Sequence, residues 1–120
     1  MITKTKRKPS KTTLKHKMDK IWSGIIREKQ FCEMCGRPAN NPHHVVGRRI
    51  LSIRWDLRNG CLLCTYCHLF SKFSAHQDPL GFMEWFKRKR PYDYEYLLAK
   101  KNELFDGDYE VILEELKAKI

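Results

Sequence analysis

The sequence predicts a small metal-stapled α+β domain whose centre runs strand, long loop, strand, helix, with one helix ahead of it and a helical run behind. Three observations carry that prediction. All five cysteines fall between residues 32 and 67, with C-x-x-C spacing at Cys32/Cys35, Cys61/Cys64 and Cys64/Cys67, the spacing of metal knuckles. Apolar residues recur at helical spacing on both sides of that window and change to short, strand-like runs within it. At 120 residues the chain is a single small domain with little apolar area to bury, so a metal whose binding energy becomes folding energy is a fitting staple.

Residues 1–17 are Lys/Thr-rich with Pro9 and little apolar content, which predicts a disordered basic arm. Met18, Ile21, Trp22, Ile25 and Ile26 then fall on one face of a helix running to about Lys29. Phe31 to Pro38 forms a knuckle with Gly36 at its sharp turn. Asn40-Asn41-Pro42 gives a loop before a strand at about 43–46, residues 47–59 form a long loop, and 60–63 form the second strand of a hairpin. Thr65 is placed to cap a helix carrying His68, Leu69, Phe70 and Phe73. Pro79 opens a helix over about 80–89, Pro91 ends it, and two more helices follow at about 94–104 and 109–120 across the turn Asp106-Gly107-Asp108. The core with its leading helix thus spans 18–78 and a helical extension spans 79–120.

Charge is unevenly placed. Of the net +10, residues 1–20 carry +7, residues 21–78 carry +4, and residues 79–120 carry −1. A cationic arm and Cys/His window suit a polyanion, because neutralising phosphates releases counterions whatever the base sequence. A solvated, solubilising arm is the plainer alternative. The basic N-terminus leads into no apolar run, and no stretch reaches the roughly 20 apolar residues of a membrane span. Cysteine pairs spaced for metal rather than disulfides predict a cytoplasmic protein.

Two C-x-x-C pairs close one tetrahedral zinc site. Cys32 and Cys35 supply one pair, and either Cys61/Cys64 or Cys64/Cys67 the other. Cys64/Cys67 is favoured, since Cys61 lies within the strand as a small buried hydrophobe. Twenty-eight residues separate Cys35 from Cys64, enough to thread a hairpin between the halves of the site. Zinc alone leaves His43, His44, Asn59 and His68 unexplained. Trp22, Trp55 and Trp85 could stack on bases, but aromatic residues at helical spacing are more often core.

The stretch PHHVVGRRILSIRWDLRNGCLLCTYCH, residues 42–68, flanked by those cysteine pairs, resembles the HNH endonuclease family, with its ββα-metal core and the zinc knuckles of its phage-type members. It is similar also to the NinG/Rap-like recombination nucleases. The resemblance implies a divalent-metal-dependent hydrolase of DNA phosphodiester bonds, acting on duplex or branched DNA in a bacterial cell and of phage type. It makes His44 the general base, with Asn59 accepting a hydrogen bond from the other ring nitrogen, and gives His43 and His68 to one catalytic divalent ion, Mn2+, Ni2+, Zn2+ or Mg2+. Arg48 and Arg49 would grip phosphates, joined by Lys72 and by Lys87 and Arg88 at a helix end, where cations also complement the helix dipole.

Three points depart from the family pattern. Neighbours on a regular strand face opposite ways, so His43 and His44 share a site only where the strand bends or ends. The family's second helix histidine, four residues after His68, is Lys72. His76 would lie about 12 Å beyond His68 on an unbroken helix, and becomes a ligand only if the helix breaks near Ser71 or Ser74. Otherwise it is a phosphate contact or a surface residue. An all-imidazole ligand pair suits transition metals better than magnesium. The rival readings are a non-catalytic zinc-stabilised nucleic-acid-binding accessory, which has no use for His44 or Asn59, and a protein adaptor built on the C-terminal helices.

Overall fold

A computed structural model describes residues 8–105 and 107–120. The chain is a small α+β fold: a two-stranded antiparallel sheet with helices around it. Helix α1, Lys11–Arg27, starts with Ser10 as its cap, whose Oγ accepts from the Thr13 amide at 3.1 Å. Leu14, Met18, Trp22 and Ile26, each four residues from the last, form its buried stripe. Helix α4, Tyr109–Lys117, covers that stripe with Leu113 and Leu116.

The basic arm expected through residue 17 is therefore corrected over residues 11–17, which are helical. A lone Leu14 among lysines looks too weak to order a segment, but α4 supplies its partner from the far end of the chain. Burying one such side chain stabilises by about 1.5–3 kcal/mol. The part of the arm comprising residues 1–7 lies outside the described residues, as does Asp106 of the expected turn.

Strand β1, Asn41–His44, pairs with β2, Gly60–Leu63, in the register His43 opposite Cys61 and His44 opposite Gly60. The second strand has the expected bounds, whereas the first sits two residues earlier than expected. Beyond His44 the pairing gives way to Asn59: Val45 donates its amide to the Asn59 carbonyl at 2.9 Å and Val46 donates to Asn59 Oδ1 at 2.7 Å. β2 is buried on both faces. Alternation sends Cys61 and Leu63 into one apolar cluster, with Cys32, Phe82 and Phe86, and Leu62 into the other, with Met18, Trp22 and Leu116. Gly60 permits the close approach of α1, since a Cβ there would stand 2.2 Å from Ile26 Cδ1.

The helix expected to carry His68 to Phe73 is instead a single π-helical turn, Tyr66–Phe70, and Thr65 makes no side-chain cap. Ser71 turns extended, and the chain doubles back so that Ala75 donates to the Cys67 carbonyl at 2.9 Å and His76 to the His68 carbonyl at 3.2 Å. Helix α2, Pro79–Lys89, is capped by Asp78, and α3, Pro91–Lys100, follows directly. Arg90 at their junction donates to Glu33 Oε1, the Gly60 carbonyl and the Arg58 carbonyl at 3.3, 2.8 and 3.0 Å. It ties the helical extension to β2 and to the first knuckle. Among the described residues no helix is long and apolar enough to cross a membrane.

Candidate functional site

Among the described residues, two groups of side chains are gathered closely enough to hold a metal ion. The thiols of Cys32, Cys35, Cys64 and Cys67 lie within 4.8 Å of one another, close enough to hold one metal ion. The first knuckle is built on Gly36 at φ 78°, where the Gly36 amide donates to the Cys32 carbonyl at 2.9 Å. The Cys67 amide donates to Cys64 Sγ at 3.5 Å. Burial pushes the Cys32 thiol up, but the Cys64, Cys35 and Met34 backbone outweighs it and brings the group down to about 7. Burial pushes Cys67 up, and neighbouring thiols add to that. A metal-binding thiolate set removes this competition for protons, and four thiolates suit zinc. These are the four cysteines of the favoured register. Cys61 is fully buried in β2, outside the thiol group, with its pKa raised by burial.

His43, His68 and His76 form the second group, again with ligand nitrogens within 4.8 Å of one another. His68 Nε2 and His76 Nε2 approach to 2.9 Å, and the His43 ring lies 5.2 Å from His68 and 5.0 Å from His76 between centroids. The break at Ser71 is the condition on which His76 could join the others, and the doubled-back segment supplies the join. Burial, then the nearby His68, His76 and His44 rings, holds His43 down at about 3. Burial and then His76 lower His68, and its Nδ1 is buried without a hydrogen-bond partner among the described residues. The lowered His43 and His68 and the orphaned ring nitrogen of His68 fit a shared divalent cation, and an all-nitrogen set favours a transition metal.

His44 turns to the other side of the hairpin, as strand alternation requires. Its ring stacks on Trp22 of α1, with centroids 3.9 Å apart and planes at 9°, and its Nε2 lies 3.0 Å from the Arg54 carbonyl. Burial lowers its pKa, with the Arg54 carbonyl working against that. Because β1 ends at His44, both rings still reach one cleft of about 400 Å³, whose walls include His43, His44, His68, His76, Arg48, Asp19 and Ser23. A second cleft of about 420 Å³, between the 51–58 loop, α3 and α4, is lined by no Cys or His.

One assigned role changes. Asn59 makes no side-chain hydrogen bond to His44 among the described residues: it is fully buried, accepting from Val46 and donating through Nδ2 to the Val46 and Ile53 carbonyls at 3.0 and 3.1 Å. It closes the loop between the strands, and the Arg54 carbonyl occupies the position at the His44 ring expected for Asn59. The physical reason is that a side chain just before β2 satisfies the hairpin's own open backbone groups first. Arg48 lines the cleft, and Arg49, Lys72, Lys87 and Arg88 are exposed away from its walls. Lys72 stands 5.0 Å over the Phe73 ring. Sequence reasoning missed Asp19, Arg54 and Trp22. Asp19 is the only carboxylate before Glu28, a signal that could have marked it.

No family model, no curated protein and no solved structure matches the chain.

Proposed function

We propose that the protein is a metal-dependent endonuclease of the HNH type that hydrolyses DNA phosphodiester bonds, with the four cysteines holding structural zinc. The observation that carries this reading is the convergence on one cleft of a three-imidazole group and a separate, neutral His44 whose Nε2 is already engaged. A carbonyl only accepts, so Nε2 carries the ring proton and Nδ1 keeps its lone pair. His44 then takes a proton from water through Nδ1 as the water oxygen bonds to phosphorus, and the bond from phosphorus to the 3′ oxygen breaks. His43, His68 and His76 would hold a divalent cation, whose chemistry is to offset charge on the phosphoryl and leaving oxygens. Arg48, on the cleft wall, contacts the phosphate, while the net charge of +10 brings duplex or branched DNA to the surface.

Supercoiled plasmid and a branched duplex, each incubated with manganese, nickel, zinc or magnesium beside a His44→Ala control, test the proposal. Metal-dependent nicking by the wild type, absent from the variant, supports it. Tight DNA binding with no cleavage under any metal would instead identify the non-catalytic zinc-stabilised accessory.

A further inference from the structure

His44 is the last residue of β1, so the sheet does not fix its ring from the C-terminal side. Two contacts do, and both lead to α1. The Trp22 indole lies flat against the imidazole and is itself anchored, its Nε1 donating to the Asp56 carbonyl at 2.9 Å. At the ring edge stands the Arg54 carbonyl, and Arg54 is gripped by Asp19. Its Nε and Nη2 donate to the two carboxylate oxygens at 3.0 and 2.6 Å, while Trp55 Nε1 donates to Asp19 Oδ1 at 2.8 Å. The Arg54 and Asp19 side chains are 14% and 23% exposed, so solvent screens this pair less than an open surface pair.

Asp19 and Trp22 stand three residues apart on one face of α1, and together they hold the consecutive loop residues 54, 55 and 56. Stacking sets the plane of the imidazole but not its tautomer. The fixed carbonyl sets the tautomer but not the plane. We propose that Asp19 and Trp22 are positioning residues for His44, through which α1 holds the ring in one plane and one tautomer with Nδ1 bare toward the cleft. The kinetic half of this inference rests on the hydrolytic reading; the structural half does not.

Long-range proton–nitrogen correlation spectra of the 15N-labelled, zinc-loaded full chain read the tautomer without any cleavage. The wild type gives His44 with Nε2 protonated and Nδ1 bare, whereas Asp19→Ala and Trp22→Leu each give averaged nitrogen shifts. In single-turnover cleavage both variants lose about 10- to 100-fold, the usual range for a group that orients another, with DNA affinity unchanged. Trp22→Phe, which keeps a ring to stack but lacks the Nε1 donor to the Asp56 carbonyl, loses less than Trp22→Leu. Added to His44→Ala, Asp19→Ala has no further effect, because the two act through one group. Wild-type nitrogen shifts in Asp19→Ala, or an equal rate loss in the His44→Ala background, would overturn the inference. Zinc content and near-ultraviolet dichroism report folding; should Trp22→Leu not fold, Asp19→Ala and Trp55→Phe, which removes only one donor to Asp19, carry the test. A wild type inactive with every metal would sink the hydrolytic reading and leave the tautomer measurement to decide the positioning.

Discussion

The four-thiol group and the three-imidazole group differ in what surrounds them. The thiols sit in a knot of backbone turns, with Cys32 and Cys64 buried in the apolar cluster under β2, and the cleft of about 270 Å³ that reaches Cys64 is otherwise walled by uncharged residues such as Gln30, Asn40 and Thr65. The imidazoles stand on the wall of a cleft of about 400 Å³ that they share with His44 and Arg48. A closed ligand set holds a fold together, while an open one leaves room for water and substrate beside the ion. Within one short stretch of chain, Cys32 to His76, the two groups thus differ in what could reach a bound ion.

The largest expected effect sharpens the staple side. Cys64→Ser should lose the metal and unfold the hairpin, because structural metal affinity is folding free energy, whereas Cys61→Ser should keep both metal and fold. Elemental analysis with circular dichroism reads the two outcomes, and metal loss from Cys61→Ser would place the ligand register elsewhere. On the other side, His44→Ala should cut the rate by about 10²- to 10⁴-fold, the usual contribution of a general base, with zinc content and DNA affinity near wild type. Cleavage by His44→Ala at the wild-type rate would break the comparison outright.

His76→Ala should weaken binding of the proposed catalytic ion by more than the about 10- to 100-fold typical of outer-shell changes, while the thiol metal stays bound. Lys72→Ala, four residues after His68, should leave metal affinity unchanged in the same titration. If the two variants exchanged these results, the doubled-back segment would not deliver its ligand.

Acid should act through His43. Its folded pKa, near 3, lies below the ordinary 6.5, so the unfolded chain takes up a proton first. Stability from this group is complete above about 6.5 and is lost as pH falls from there toward 3. Urea midpoints should therefore drop more between pH 7 and pH 5 for the wild type than for His43→Asn.

The smallest effect concerns the N-terminus. Deleting residues 1–10, with the four cations Lys4, Lys6, Arg7 and Lys8, should flatten the salt dependence of DNA affinity by up to about 0.9 for each phosphate these cations neutralise. The saturating cleavage rate should hold. Deleting residues 1–17 should in addition lower the melting temperature, since Leu14 goes with them. Binding isotherms across salt and a thermal melt distinguish the two truncations.

The thiol group and the bounds of β2 were legible from local pattern, C-x-x-C spacing together with a short apolar strand that claims Cys61, whereas the grouping of His43 with His68 came from the family resemblance. Leu14 was not, since its partners Leu113 and Leu116 lie at the far end of the chain. The fate of His76 turned on whether one residue, Ser71, continues a helix, and local propensity there is nearly neutral. Arg90 read as one more cation in a basic run, yet its guanidinium bonds three segments at once, a pattern no periodicity encodes.

The two faces of β2 bear on what could be excised. A fragment from Cys32 to His76 would retain all seven candidate ligands and look like a self-sufficient module. Yet Leu62 and Trp55 would be left facing water, and His44 would be without the indole against which it lies. Such a fragment could chelate metal while His44, the proposed base, stood without its support. The smallest transplantable unit is therefore set by α1 and the α4 that covers it, and runs well past the last ligand in the chain.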